Sequence, residues 1–207
     1  MKILIDYNFY LSYLELEDFS DKLELRIQKL QHIYGNRKNN KSRNDFISEY
    51  FVEIFCWSVI PSQVLSELGN TFRNYGLLQV VDPCCGNAFH GYLLEKYLGL
   101  KVSNIDIQEE TLGWSPIIEM DGREYLQRMT PKEHLNSILW LSWIDYPELS
   151  QELLNLYQGK LVVSVGNYEI KSPDYLKMIR EKYELVKSYV LQMPWNLTEK
   201  IEVYIKL

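Results

Sequence analysis

The sequence predicts an α/β fold built on a mostly parallel sheet, and three observations carry that expectation. From Leu77 onward, short apolar runs alternate with segments of helical spacing, which is the signature of βαβ units. The segment Val80-Val81-Asp82-Pro83-Cys84-Cys85-Gly86-Asn87-Ala88 reads as a buried strand followed by a tight turn of small residues and a helix, and Asp106 closes the next strand. Finally, segments 183–191 and 200–207 read as two strands on either side of an eight-residue loop, as expected of an antiparallel pair closing one sheet edge.

The first part of the chain reads as helical. Leu23, Leu25, Ile27, Leu30 and Ile33 follow a period close to 3.6 residues within 20–34. A second helix is expected over 45–57, where Phe46, Ile47, Tyr50, Phe51, Ile54 and Phe55 form a wide apolar face. Pro61 pushes Ile60 out of the α region, so a break falls there. Ser62 is then placed to cap a third helix that runs to about residue 75 and is closed by Gly76. Residues 1–75 are read as an N-terminal helical cap, and 76–207 as the sheet domain, the two making one compact unit. The expected strands are 78–82, 101–106, 117–120, 138–143 and 161–165, with helices over 90–98, 122–129 and 149–157 and an eight-residue loop at 192–199 before the last strand.

Composition bounds the function. The chain has 207 residues, 46% hydrophobic and 24% charged, a balance suited to a single well-buried domain. No apolar run approaches the roughly 18 residues of a spanning helix, and the N-terminal apolar run ends at Asp6, so the expectation is a soluble, cytoplasmic protein with no membrane association. Three cysteines, two of them adjacent, make a poor disulfide framework and are read as reduced thiols; no metal-ligand spacing is present. A net charge of −6 argues against a broad polyanion-binding surface. The local exception is Arg37, Lys38, Lys41 and Arg43, read either as a solvated loop or as a phosphate or RNA contact. A single alanine beside abundant Asn, Ile, Lys and Tyr points to an AT-rich coding genome, such as that of a large DNA virus, a protist or a low-GC bacterium.

The chemistry concentrates in the turn after the first strand. Gly86 stands where backbone must approach a ligand, and Cys84 and Ala88 flank it with small side chains. Asp106, 24 positions after Asp82, suits a carboxylate accepting from both hydroxyls of a ribose, the alternative being an ordinary strand-end aspartate. A dinucleotide pattern with Gly86 as its second glycine places Phe89 third, where it would obstruct helix packing. His90, at the positive end of the following helix, suits a neutral hydrogen-bonding role.

From about Trp57 onward these motifs resemble the class I S-adenosylmethionine-dependent methyltransferase superfamily, whose corresponding loop reads acidic-x-Gly-x-Gly-x-Gly. The resemblance implies a Rossmann-like sheet with a C-terminal antiparallel pair, S-adenosylmethionine as cofactor, and cofactor contacts at Asp82, Cys84, Gly86, Ala88 and Asp106. It also places Asp121 where the family accepts from the adenine amino group, although Asp-Gly is equally a turn signal.

The acceptor is expected beyond the fourth strand, at Trp143-Ile144-Asp145-Tyr146. The segment is similar to the Asn/Asp-Pro-Pro-Tyr/Phe motif of amino-group methyltransferases, and more closely to the Trp-Pro-Pro-Tyr of a group of methyltransferases from eukaryotes and large DNA viruses. Further counterparts to that group are Trp57-Ser58-Val59-Ile60-Pro61, Val165-Gly166-Asn167 and Trp195. Both prolines are replaced, by Ile144 and Asp145, so the rigid turn that would orient an amine is not encoded. Asp145 is the candidate base, with Tyr146 and Trp143 as a stacking wall; the alternative is a turn beside core aromatics. The implied function is methyl transfer to a nucleic acid, protein or small molecule, set against a non-catalytic pseudo-methyltransferase serving as a binding or regulatory partner.

Overall fold

A computed structural model of the chain describes residues 52, 55–58, 60–108, 113–144, 146–167, 171–192 and 198–207. The expected helix over 20–34, most of that over 45–57, the basic cluster at 37–43, Asp145 and Trp195 lie outside the described residues.

Helix α1 (Ser62–Asn74) buries Leu65, Leu68 and Phe72 at helical spacing. The residue at its N-cap is Pro61 rather than Ser62, which becomes the first helical residue. The helix stops where Gly76 takes a φ of 68°, the left-handed conformation that lets the Leu77 N–H return to the Phe72 carbonyl at 2.9 Å. The chain then enters the sheet: β1 (Gln79–Asp82), α2 (Phe89–Leu98), β2 (Lys101–Asp106), β3 (Ile117–Glu119), α3 (Gly122–Arg128), α4 (Pro131–Leu135), β4 (Ser137–Ser142), α5 (Pro147–Leu156), β5 (Leu161–Gly166), α6 (Pro173–Lys182), β6 (Tyr183–Gln192) and β7 (Thr198–Lys206).

The seven strands order as β3-β2-β1-β4-β5-β7-β6, parallel through β5 and antiparallel where β7 pairs with β5 and β6. This is the mixed α/β architecture the sequence predicts, with strand limits within a residue or two. The interstrand loop is shorter than expected, because β6 reaches Gln192 and β7 starts at Thr198.

The central strands are continuously apolar because both faces are covered. Val80, Ile138, Trp140, Val163 and Val203 pack with α1, α2 and Phe55 on one face. Val81, Leu139, Leu141, Val162 and Tyr204 pack with Leu126, Leu153, Leu154, Tyr175 and Ile179 on the other. Two helices were not anticipated. Helix α4 is only five residues long and shows no apolar period, yet Thr130 and Glu133 form a capping box with Pro131 at the first turn. Helix α6 begins in the same way, with the Ser172 hydroxyl accepting the Tyr175 N–H at 3.0 Å and Pro173 following.

Candidate functional site

The strand order reverses between β1 and β4, and in open α/β sheets the crevice beyond the carboxyl ends at such a reversal is where ligands bind. A cavity of about 330 Å³ opens there. It is lined by Asp82 at the end of β1, Gly86 and Asn87 from the following turn, Asp106 at the end of β2, and Ser142 and Trp143 at the end of β4. The Gly86 N–H donates to Asp106 Oδ2 at 2.9 Å, so the turn after β1 is tied to the carboxylate of β2. Gly86 adopts a φ of 53°, and Ala88, at the N-cap of α2, a φ of 60°. The left-handed conformation is strained for a residue with a Cβ, and the smallest such side chain fills the position.

Asp82 is 2% exposed, and its Oδ1 is buried with no hydrogen-bond partner among the described residues. Burial pushes its carboxyl up to about 8, with the Asp106 charge adding to the rise and a hydrogen bond from the Cys84 backbone opposing it. An acid whose folded pKa exceeds its unfolded value of 3.8 contributes stability below that value, and the contribution is lost as pH rises toward 8. The full loss is on the order of 5 kcal/mol. Denaturation midpoints of the ligand-free protein are therefore expected to fall across this window, and Asp82→Asn to flatten the profile. A wild-type profile as flat as that of the variant would refute this electrostatic reading of Asp82.

The three cysteines are free. Burial holds the Cys84 thiol at about 12, reinforced by the charges of Asp82, Asp106 and Asp121, and raises Cys85 also. Both are protonated at neutral pH and act as small packing groups.

His90 is buried beneath the cavity. The Trp140 Nε1–H donates to its Nδ1 at 3.3 Å, and its Nε2 lies 2.8 Å from the Ser58 carbonyl. Since an indole only donates, Nδ1 is the acceptor and Nε2 carries the proton. Burial lowers the pKa to about 4, against the Ser58 hydrogen bond, so the ring is neutral as the sequence reading expects. Phe89 packs edge-on against Phe55 and Trp114, at ring centroid distances of 5.2 Å in both cases.

Trp143 is the unusual residue of the site. It has a φ of 49°, a conformation that bulky side chains rarely take. Its Nε1–H donates to Ser58 Oγ at 2.6 Å and lies 3.4 Å from Glu199 Oε2, while the Ser58 hydroxyl donates closely to the same Glu199 oxygen. Trp57 stacks on its ring at 5.1 Å. These contacts hold the end of β4 against the Ser58 segment and the start of β7. Trp143→Phe removes the donor and keeps the ring, and is expected to cost about 1–2 kcal/mol in chemical denaturation. An unchanged midpoint would mean that the bridge contributes nothing.

The expected site residues thus divide. Asp82, Cys84, Gly86, Asp106 and Trp143 line one cavity, and Ala88 sets the adjacent turn. Asp121 does not line it. Its side chain caps α3 by accepting the Arg123 N–H at 2.7 Å, and the Arg123 guanidinium, itself 3.0 Å from Glu152, engages both its oxygens. The hydrogen bonds from Arg123 hold the Asp121 carboxyl down at about 2. Tyr146 is 72% exposed at the start of α5 and lines neither this cavity nor the second one described below. Ser58 and Glu199 escaped the sequence reading. Glu199 was detectable in principle, because it stands in phase with the core-facing Ile201 and Val203 of the last strand.

No protein-family model matches the sequence, and no curated protein matches it. Solved structures do match. Magnesium protoporphyrin IX methyltransferase from Synechocystis PCC 6803, determined with bound S-adenosylmethionine, superimposes with a TM-score of 0.52 at 15% identity, over 92% of this chain and 99% of that one. A candidate caffeoyl-CoA O-methyltransferase from Staphylococcus aureus gives 0.50 at 12% identity, over 89% and 99%. An S-adenosylmethionine-dependent methyltransferase from Archaeoglobus fulgidus gives 0.49 at 17% identity, over 69% and 94%. The fold is that of the class I methyltransferases, a Rossmann-like sheet ending in an antiparallel pair.

Proposed function

We propose that this protein binds S-adenosylmethionine in the cavity between Asp82 and Trp143 and transfers its methyl group to an acceptor held at the end of β4. One observation carries the reading: Asp82, whose buried carboxyl oxygen Oδ1 has no partner among the described residues, lines the same cavity as a second acidic side chain, Asp106, that is braced by the Gly86 N–H. A ligand with a cationic amine and a vicinal diol satisfies both, and S-adenosylmethionine has both groups. When bound, it supplies an electrophilic methyl group on a sulfonium.

In this reading the cationic amino group draws the Asp82 carboxyl into its ionised form and donates to it, while Asp106 accepts from the ribose hydroxyls. Cys84, Gly86 and Ala88 keep the turn low enough for close approach, and Trp143 with Trp57 walls off the reacting end from water. Asp121, capped onto α3 through Arg123, reaches an adenine only by giving up part of that network. Asp145 remains the candidate base for an acceptor proton.

Calorimetric titration of the full chain with S-adenosylmethionine and S-adenosylhomocysteine tests the proposal, and both are expected to bind. If neither binds the folded protein, the reading is wrong. Binding without labelled-methyl transfer to any cellular fraction would identify a regulatory domain that has kept the fold and the cofactor.

A further inference from the structure

A second cavity, of about 340 Å³, lies at the carboxyl ends of β4 and β5, and Trp143 lines both cavities. The end of β4 runs between them, with Ser142 on one side and Leu141 and Ile144 on the other. The apolar wall of the second cavity is Leu141, Trp143, Ile144 and Val165; its polar wall includes Ser164, Lys171 and Tyr175. Its size is that of a small-molecule site.

The polar wall is built to donate. Ser164 is 2% exposed, and its Oγ accepts from Lys171 Nζ at 2.5 Å and from the Tyr175 hydroxyl at 3.0 Å. A serine oxygen has two lone pairs and one proton, so with both lone pairs used its own O–H is left to donate. Burial lowers the Lys171 amine to about 8 against the charges of Glu202 and Glu199, with Lys200 acting in the same direction as burial. Lys171 is therefore protonated at neutral pH. Glu202 is itself held by the hydroxyls of Tyr204, at 2.5 Å, and Ser188, at 3.5 Å. The first turn of α6 opens beside Lys171 with Ser172 at its cap, adding the positive end of a ten-residue helix, and the exposed Asp174 is the acidic group in that turn.

We infer that this cavity binds a small molecule whose carboxylate or other anionic group is received by Lys171 and the Ser164 hydroxyl while its apolar part lies against Trp143 and Ile144. The site stands independently of the methyl-transfer reading above.

Benzoate, a flat apolar ring with one carboxylate, is the probe, and benzamide is its neutral counterpart. In ligand-observed NMR titrations of the full chain, benzoate is expected to bind about tenfold more tightly than benzamide. Lys171→Met should abolish that preference. Ser164→Ala, which removes one oxygen and leaves the strand intact, should reduce it, and Lys132→Ala, at an exposed position outside both cavities, should leave it unchanged. A preference that survives Lys171→Met in a folded variant, equal binding of the two probes, or no binding of either at millimolar concentration overturns the inference. Benzoate selectivity without S-adenosylmethionine binding would instead retain the anion site and remove the methyl-transfer reading.

Discussion

Replacing Asp106 with alanine is expected to weaken S-adenosylmethionine binding by about two orders of magnitude. Hydrogen bonds to a charged acceptor contribute about 1.5–3 kcal/mol each, and a carboxylate receiving both hydroxyls of a ribose loses two of them at once. The substitution also frees the Gly86 N–H, which now donates to Asp106 Oδ2 at 2.9 Å, and the Gln108 N–H, 3.3 Å from Oδ1. The turn after β1 then loses its brace to β2 as well as the contact to ligand. The fold should survive, because Asp106 ends its strand and contributes nothing to either core. The decisive comparison is calorimetry beside a thermal melt: unchanged affinity in a folded variant would remove Asp106 from the site. Asp106→Asn should fall between the two, since it keeps an acceptor but loses the charge.

The sheet was legible in the sequence because each buried strand is a short apolar run ending in a residue of different character: Asp82, Asp106, Trp143 and Gly166 all stand at or just beyond a strand's carboxyl end. Those same ends line the two cavities, so the strand pattern and the candidate chemistry were read together. What escaped notice depends on groups distant in sequence. Ser58 and Glu199 stand 141 positions apart yet share a hydrogen bond beside Trp143. Ser164 and Lys171 look like a strand serine and a loop lysine until Tyr175 is brought to the same oxygen. Asp121, placed by resemblance at an adenine contact, is engaged by Arg123, a partner two residues on that the sequence reading did not weigh. Two helices were missed although their caps are readable, at Thr130-Pro131 and Ser172-Pro173; the second also buries Tyr175 and Ile179 one turn apart.

The close helix-to-strand approach falls two residues after Phe89, at Gly91. A Cβ there would stand 1.9 Å from Asn104 Oδ1. Asn104 is 1% exposed, and its Nδ2 donates to the Pro116 carbonyl at 3.3 Å, so it has no solvent into which to retreat. Alanine is the better helix former by about 1 kcal/mol, whereas forcing extra volume into a packed interior typically costs about 1–3 kcal/mol and more when the neighbour is fixed. The clash wins, and Gly91→Ala is expected to destabilise the protein by about 2 kcal/mol net. Gly69→Ala in α1 is the matched control. Its Cβ would meet Leu98 Cδ2 at 2.8 Å, the far end of a side chain that can turn aside, so the helix preference should dominate and stability should hold or rise. Gly122→Ala is the harsher case, with the Pro83 carbonyl oxygen 2.3 Å from the new carbon. Backbone must move there, and it is the backbone of the turn after β1, so this variant should lose cofactor affinity along with stability. Equal denaturation midpoints for Gly69→Ala and Gly91→Ala would show that the α2–β2 approach is looser than this packing implies.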